Sequence, residues 1–377
     1  MKKILLGTTA IIALGALSSQ ALAAEKIKLG IGGFMREYVS NVKSDQTKSN
    51  TRMKLGQWSN TEIHFKGSTT LDNGLTVAAR VELEGDRNGA ARSIDVSTLT
   101  VSGDTLGAFT IGSMPQASDT FAVKAPIVGP AAFSDVTAWA KFNSTVNDAN
   151  AITKTNGRGT TSDFVGGNKG NKIQYVTPSF SGFSAFASYD AAQNVDKNAK
   201  RAALRSDTGE AYALGVTYDG EISGVALTSD LSRTKYQGGS TSGVNDGDGQ
   251  TLTRFGLNAG MGGFTVGGSY SHYKGVTRAT TTVDSLDGNG WDFGVGYNNG
   301  PYSVSAAYNS AKAKGTTRAG DDKFTAWTFG AGYDMGAGVS LVAQYFNGKL
   351  KNETPAVATD PTSSTVNGVI GGIEVSF

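Results

Sequence analysis

Cysteine is absent from the 377-residue chain, proline occurs only 7 times, and His64 and His272 are the only imidazoles. Without thiols there is no disulfide framework, no thiolate metal centre and no cysteine nucleophile. An excess of charge of one sign is missing too. The 34 Lys+Arg stand against 32 Asp+Glu, a formal +2, which removes the basic surplus expected of a nucleic-acid binder. No G-x-S-x-G elbow and no phosphate-binding Gly-Lys-Ser/Thr occurs, and neither histidine has a second imidazole at metal-ligand spacing. Asn245-Asp246-Gly247-Asp248-Gly249 lacks the distal Glu of a calcium loop and reads as a flexible connection. These absences point to a protein without cofactor, metal or catalytic site.

Glycine is abundant instead: 51 residues, beside an apolar share of only 38%. Long helices do not account for it, because each interior glycine costs a helix about 1 kcal/mol. The first segment is separate from the rest. Lys2 and Lys3, an apolar stretch from Ile4 to Leu17, a polar break at Ser18 to Gln20 and the small pair Ala21 and Ala23 form a secretory signal peptide, residues 1–23, cleaved after Ala23. Its two lysines are the whole formal charge, so residues 24–377 carry equal numbers of each sign. That remainder contains no second apolar run of the roughly 20 residues a membrane helix needs. A transmembrane β-barrel would hide its apolar wall on alternate residues and still look hydrophilic.

Period-two alternation runs from about residue 57. Ile63 and Phe65 alternate with Glu62, His64 and Lys66; Leu75, Val77, Ala79, Val81 and Leu83 alternate with Arg80, Glu82 and Glu84 across the turn signal Asp72-Asn73-Gly74. The same pattern returns at Tyr212 to Tyr218, Trp291 to Tyr297, Tyr302 to Tyr308, Val339 to Tyr345 and Val369 to Phe377. Aromatics gather at both ends of these segments, as two membrane interfaces require. Sixteen strands follow: 26–39, 57–69, 75–84, 93–102, 108–113, 172–177, 183–190, 210–218, 223–233, 251–260, 264–273, 290–298, 301–311, 324–334, 338–349 and 366–377. Short connections alternate with long ones, 40–56, 85–92, 114–171, 191–209, 234–250, 274–289, 312–323 and 350–365. Up-and-down strands then put every tight turn at one rim and every long loop at the other. The fold expected is all-β, a transmembrane antiparallel up-and-down barrel of even strand number. Gly30, Gly32, Gly33, Gly294, Gly296, Gly371 and Gly372 are expected where strands bend or a side chain would obstruct the interior.

Residues 114–171 are too long for a hairpin turn, and loops of that length are functional or disordered. Phe121, Pro126, Pro130, Phe133, Trp139, Phe142 and Phe164 favour packing against a wall, so the segment is read as a constriction loop folded into the lumen. Alternation points Glu62, Lys66, Arg80, Glu82 and Lys172 into the same space. With the loop acids Asp119 and Asp135 they are the candidate pore-lining residues, able to set a transverse field across a narrow section. Five bases against four acids on the loop leave the sign of selectivity open.

Ile63-His64-Phe65-Lys66-Gly67-Ser68 with Leu71-Asp72-Asn73-Gly74-Leu75 resembles the second strand, first turn and third strand of the trimeric general porins of Gram-negative outer membranes. Asn171-Lys172-Ile173-Gln174-Tyr175-Val176-Thr177-Pro178-Ser179-Phe180-Ser181-Gly182-Phe183 is similar to the strand, turn and strand after that family's longest loop, and Ile373-Glu374-Val375-Ser376-Phe377 resembles its assembly signal. The resemblance implies a sixteen-stranded barrel, a homotrimer, contact with outer-membrane lipid and lipopolysaccharide, and passive diffusion of small hydrophilic solutes and ions. Competing readings are a solute-selective channel with a lumenal site for a sugar or an anion such as phosphate, an outer-membrane enzyme, and an adhesin.

Overall fold

The computed structural model describes residues 26–45, 55–86, 94–131, 139, 169–190, 210–237, 250–279, 282–285, 287–314, 321–351 and 362–377. The expected signal peptide, Asp135, Phe133, Phe142, Phe164 and the Asn245 to Gly249 connection lie outside them. The strands are β1 (Gly30–Ser44), β2 (Gly56–Thr70), β3 (Thr76–Glu84), β4 (Ile94–Gly103), β5 (Gly107–Met114), β6 (Gly170–Val176), β7 (Phe183–Asp190), β8 (Glu210–Ile222), β9 (Val225–Gln237), β10 (Gln250–Met261), β11 (Phe264–Lys274), β12 (Val276–Ala279), β13 (Thr282–Ser285), β14 (Gly288–Asn299), β15 (Tyr302–Lys314), β16 (Asp321–Gly336), β17 (Val339–Lys351) and β18 (Ser363–Ser376). A short helix, α1 (Ala117–Thr120), follows β5.

Sixteen of these strands pair antiparallel in chain order, and β1 closes the ring against β18. Closure removes both sheet edges, which an open sheet would leave with unpaired backbone groups. Each strand expected from the alternation is present. The difference lies between β11 and β14, which pair directly, while β12 and β13 form a separate two-stranded hairpin in the connection read as a loop. Its Val and Thr residues favour strand locally, but its four-residue arms are too short to span a bilayer. β1 also runs to Ser44, five residues further than expected, because pairing with β18 continues to Ser44 opposite Val366.

The tight rim is built by turn chemistry. Both residues of Ser181-Gly182, Ser223-Gly224, Gly262-Gly263 and Ala337-Gly338 have positive φ, the type I′ pair whose twist matches the flanking strands. At the first turn Gly74 has φ 81°, and Asn73 Oδ1 accepts the Leu75 N–H at 3.1 Å.

Register sorts the two faces. Ile31, Met35 and Val39 on β1, Leu214 and Val216 on β8, and Phe293 and Val295 on β14 are exposed on the outer wall. Aromatic side chains frame this apolar band as cross-strand partners. Phe183 meets Tyr218, Phe264 meets Tyr297 and Tyr302 meets Tyr333 near the tight turns; Tyr308 meets Trp327 toward the long-loop rim. Two aromatic belts about an apolar band are the profile of a bilayer-spanning wall.

Replacing Leu214 by Arg, between Tyr212 and Tyr218 on the outer wall, is expected to cost about 2–4 kcal/mol in denaturant titrations of vesicle-inserted protein. Ser68→Arg on the inner face should cost much less, and equal costs would contradict the facing assigned here.

Candidate functional site

After β5 the chain turns into the barrel rather than crossing to β6 by a tight turn. An extended segment has no internal partners for its backbone groups, and burial makes unpaired groups costly. The wall supplies the partners in sequence. The Ala117 N–H donates to Ser188 Oγ on β7 at 3.2 Å, Val123 N–H to Asp230 Oδ1 on β9 at 2.8 Å, and Ala125 N–H to Asp292 Oδ1 on β14 at 2.8 Å. Val128 N–H donates to Ser305 Oγ on β15 at 2.7 Å, and Ala131 N–H to Gln344 Oε1 on β17 at 2.7 Å. Gln344 returns a bond to the Ala131 carbonyl at 3.0 Å. The described part of the segment, residues 117–131, therefore runs along the interior from β7 to β17.

Asp230 and Arg254 form its strongest anchor. Arg254 Nη1 donates to Asp230 Oδ2 at 2.6 Å and its Nη2 to the Val123 carbonyl at 2.6 Å, while the other Asp230 oxygen takes the Val123 N–H. Both side chains of the pair are fully buried. A buried ion pair is tolerable only where its remaining hydrogen-bonding capacity is filled, and the loop backbone fills part of it.

Two inward glycines make the close approach possible. A Cβ on Gly256 would collide with the Val123 carbonyl oxygen, and one on Gly330 with that of Val128. Gly294 and Gly296 likewise lie against Ala125 and Pro126. Among the expected interior glycines these two accommodate the loop. Apolar packing completes the contact: Phe121 stacks on Phe186 with centroids 4.8 Å apart, and Trp139 packs edge-on against Tyr38 and Trp58.

The hydrogen bonds named above leave β2 and β3 outside the loop's anchorage, and those strands carry the charged strip. Cross-strand register sets Glu62 opposite Glu84, His64 opposite Glu82 and Lys66 opposite Arg80. Arg80 Nε donates to Glu82 Oε1 at 2.7 Å, and the Arg80 side chain is 47% exposed. Four of the seven candidate residues, Glu62, Lys66, Arg80 and Glu82, thus share one wall. Beside them Tyr38 OH donates to Glu374 Oε1 at 2.6 Å, and Arg36 lies 3.9 Å from the same carboxylate.

The other candidates are placed elsewhere. Asp119 sits on α1, 3.8 Å from Lys124 of the same loop. Lys172 faces inward but is wholly buried, 3.1 Å from Asp190, so it ties β6 to β7 and does not face open water. His272 is exposed on the outer face near the end of β11. Sequence reasoning missed Asp230, Arg254, Asp292 and Gln344. Their inward parity amid Ser and Gly neighbours was the available signal, but nothing local to them names the loop they hold.

A family model of Gram-negative porins matches residues 7–353. No curated protein matches the chain in sequence. Among solved structures, the anion-selective porin from Comamonas acidovorans is similar at TM-score 0.63 and 18% identity, over 93% of this chain and 100% of that one. In-vitro folded OmpT, an outer membrane protein of Vibrio cholerae in its trimer form, gives 0.60 and 14%, over 94% and 100%. Salmonella typhi OmpF in complex with daunomycin gives 0.58 and 16%, over 93% and 98%. At these identities the likeness concerns the fold.

Asp230→Ala removes one loop anchor and takes from the buried Arg254 its carboxylate partner. Breaking a buried pair in this way is expected to cost about 3–5 kcal/mol, and limited proteolysis should cut within residues 114–131 far faster than in the parent. Unchanged cleavage would show that the loop is held by other contacts.

Proposed function

The chain belongs to the Gram-negative porin family, and from that premise we propose that it acts as a general diffusion channel for small hydrophilic solutes and ions, working as a homotrimer. As a member of that family it is an outer-membrane porin. The observation that carries the finer reading is the interior loop, which is bonded along β7 to β17 while the charged strip on β2 and β3 lies outside those anchors. Solutes then pass between a pinned loop and a polar wall. Passage needs no catalytic group, and the reading assigns none. Residues 1–23 serve as the export signal.

Charge along this path is interleaved. Glu82 is paired with Arg80, Glu374 with Arg36, Asp119 with Lys124 and Asp95 with Lys169. Pairs of opposite sign orient polar solutes but build no ring of one sign, which strong ion selection requires. Planar bilayers should therefore show stepwise conductance, a reversal potential in a salt gradient far below the ideal single-ion value, and solute flux linear in concentration. Saturable flux for one sugar or anion would replace this reading with a solute-selective channel, and folded protein without conductance would refute both.

The trimer is supported by the outer wall. The aromatic belts run through β7 to β17, but no Trp or Tyr occupies an outward position on β1 to β5; small residues such as Gly33, Ser59, Thr61, Gly67 and Ala79 stand there. Glu37 shares this face, opposite Ser59 and Ile373, with one carboxylate oxygen buried and unbonded. A carboxylate is costly against lipid, whereas a neighbouring subunit can offer it a donor. One of the similar structures is a trimer form. Thr61→Trp should convert the detergent-solubilised trimer to monomer in light-scattering mass measurements while Val295→Trp does not. A trimer surviving Thr61→Trp would exclude this face.

A further inference from the structure

The charged strip contains a convergence that diffusion does not require. His64 Nε2 lies 2.9 Å from Glu62 Oε2 and 3.5 Å from Glu82 Oε1, and one ligand atom from each of the three falls within 4.8 Å of the others. Glu62 and His64 are two residues apart on β2 and so share a face; Glu82 is the direct partner of His64 on β3. Bonds of about 2.0–2.2 Å to tetrahedral zinc place neighbouring ligand atoms roughly 3.3 Å apart. The two separations given by the structure bracket that value. One imidazole and two carboxylates also form a donor set suited to zinc and its first-row neighbours, with a fourth position left for water.

The charge balance around the tripod favours a cation as well. Glu62 belongs to a second group with Glu84 and Asp95, again with ligand atoms within 4.8 Å. Like charges directly opposite on paired strands, as Glu62 and Glu84 are, oppose each other. Asp95 joins them because the register of β3 against β4 shifts between Glu82 and Leu83, and bulges of this kind re-aim a side chain. Four carboxylates, Glu62, Glu82, Glu84 and Asp95, stand here against three bases, Arg80, Lys66 and Lys169. Glu82 is nearly buried, at 5% side-chain exposure, and fixed by Arg80; Glu62 and His64, at 14% each, form the side open to the lumen.

We propose that Glu62, His64 and Glu82 form a lumenal binding site for a divalent transition-metal cation of the zinc type, and that its occupancy reduces ion flow through the barrel. The second half rests on the channel reading; the binding itself does not.

Zinc chloride titrated calorimetrically into the detergent-folded full chain should bind once per chain. His64→Gln and Glu62→Gln should each weaken binding by ~10–100-fold, the range for disturbing a metal site through a single side chain, while His272→Gln on the outer wall binds like the parent. Circular dichroism and heat-dependent gel migration verify that each variant is folded. In planar bilayers, with every protein's current referred to its own value in chelator, the half-blocking zinc concentration should shift by the same factors. A parent that binds no zinc, or binding undiminished in both variants, overturns the site. Variant-sensitive binding with unblocked current overturns the effect on flow. Variant-sensitive binding by a protein that conducts nothing even in chelator supports the site and refutes the channel reading.

Discussion

A bilayer interior offers a peptide group no hydrogen-bonding partner, so a chain that crosses it with strands must close its sheet. Here closure falls to β1 and β18, joined in register from Phe34 opposite Ser376 to Ser44 opposite Val366. Everything else depends on that ring. It creates an interior, it forces alternate residues to opposite environments, and it presents the loop after β5 with a concave polar wall.

Inside the ring the same requirement returns in a milder form. The segment from Ala117 to Ala131 has almost no regular structure of its own, yet its N–H groups are received in turn by Ser188, Asp230, Asp292, Ser305 and Gln344. These side chains stand where a neighbouring strand's carbonyls would stand in a sheet. Gly256 and Gly330 let the backbone come close enough for the arrangement. Part of the unusual glycine content therefore serves a second layer within the barrel, besides curvature and tight turns.

The interior charges divide into two physical classes. Asp230 with Arg254 and Lys172 with Asp190 are withdrawn from water and act as fasteners. Glu62, His64, Lys66, Arg80 and Glu82 line β2 and β3, outside the loop's anchors, where Arg80 meets water. In the first class Asp230 and Arg254 hold the loop, and Lys172 and Asp190 join β6 to β7. The second stands on the wall outside those anchors, where the Glu62 and Glu82 carboxylates converge on His64.

Alternation along each strand is a local property with a period of two residues, so the amino-acid order by itself determined the strands, the inward face of Glu62, Lys66, Arg80, Glu82 and Lys172, and the two unequal rims. The family resemblance rested on equally local stretches. Burial is different, because it depends on what lies over a residue. Lys172 and Arg80 share a parity, but only Arg80 remains open to water, a distinction set by how distant segments pack. The grip of Asp230 on Val123 joins residues 107 positions apart, and the approach of Glu82 to His64 requires the register of β2 on β3. Sequence thus settled which way each side chain faces; the tertiary structure alone decided what each one meets, since contact between distant segments is fixed by closure and register rather than by any local pattern.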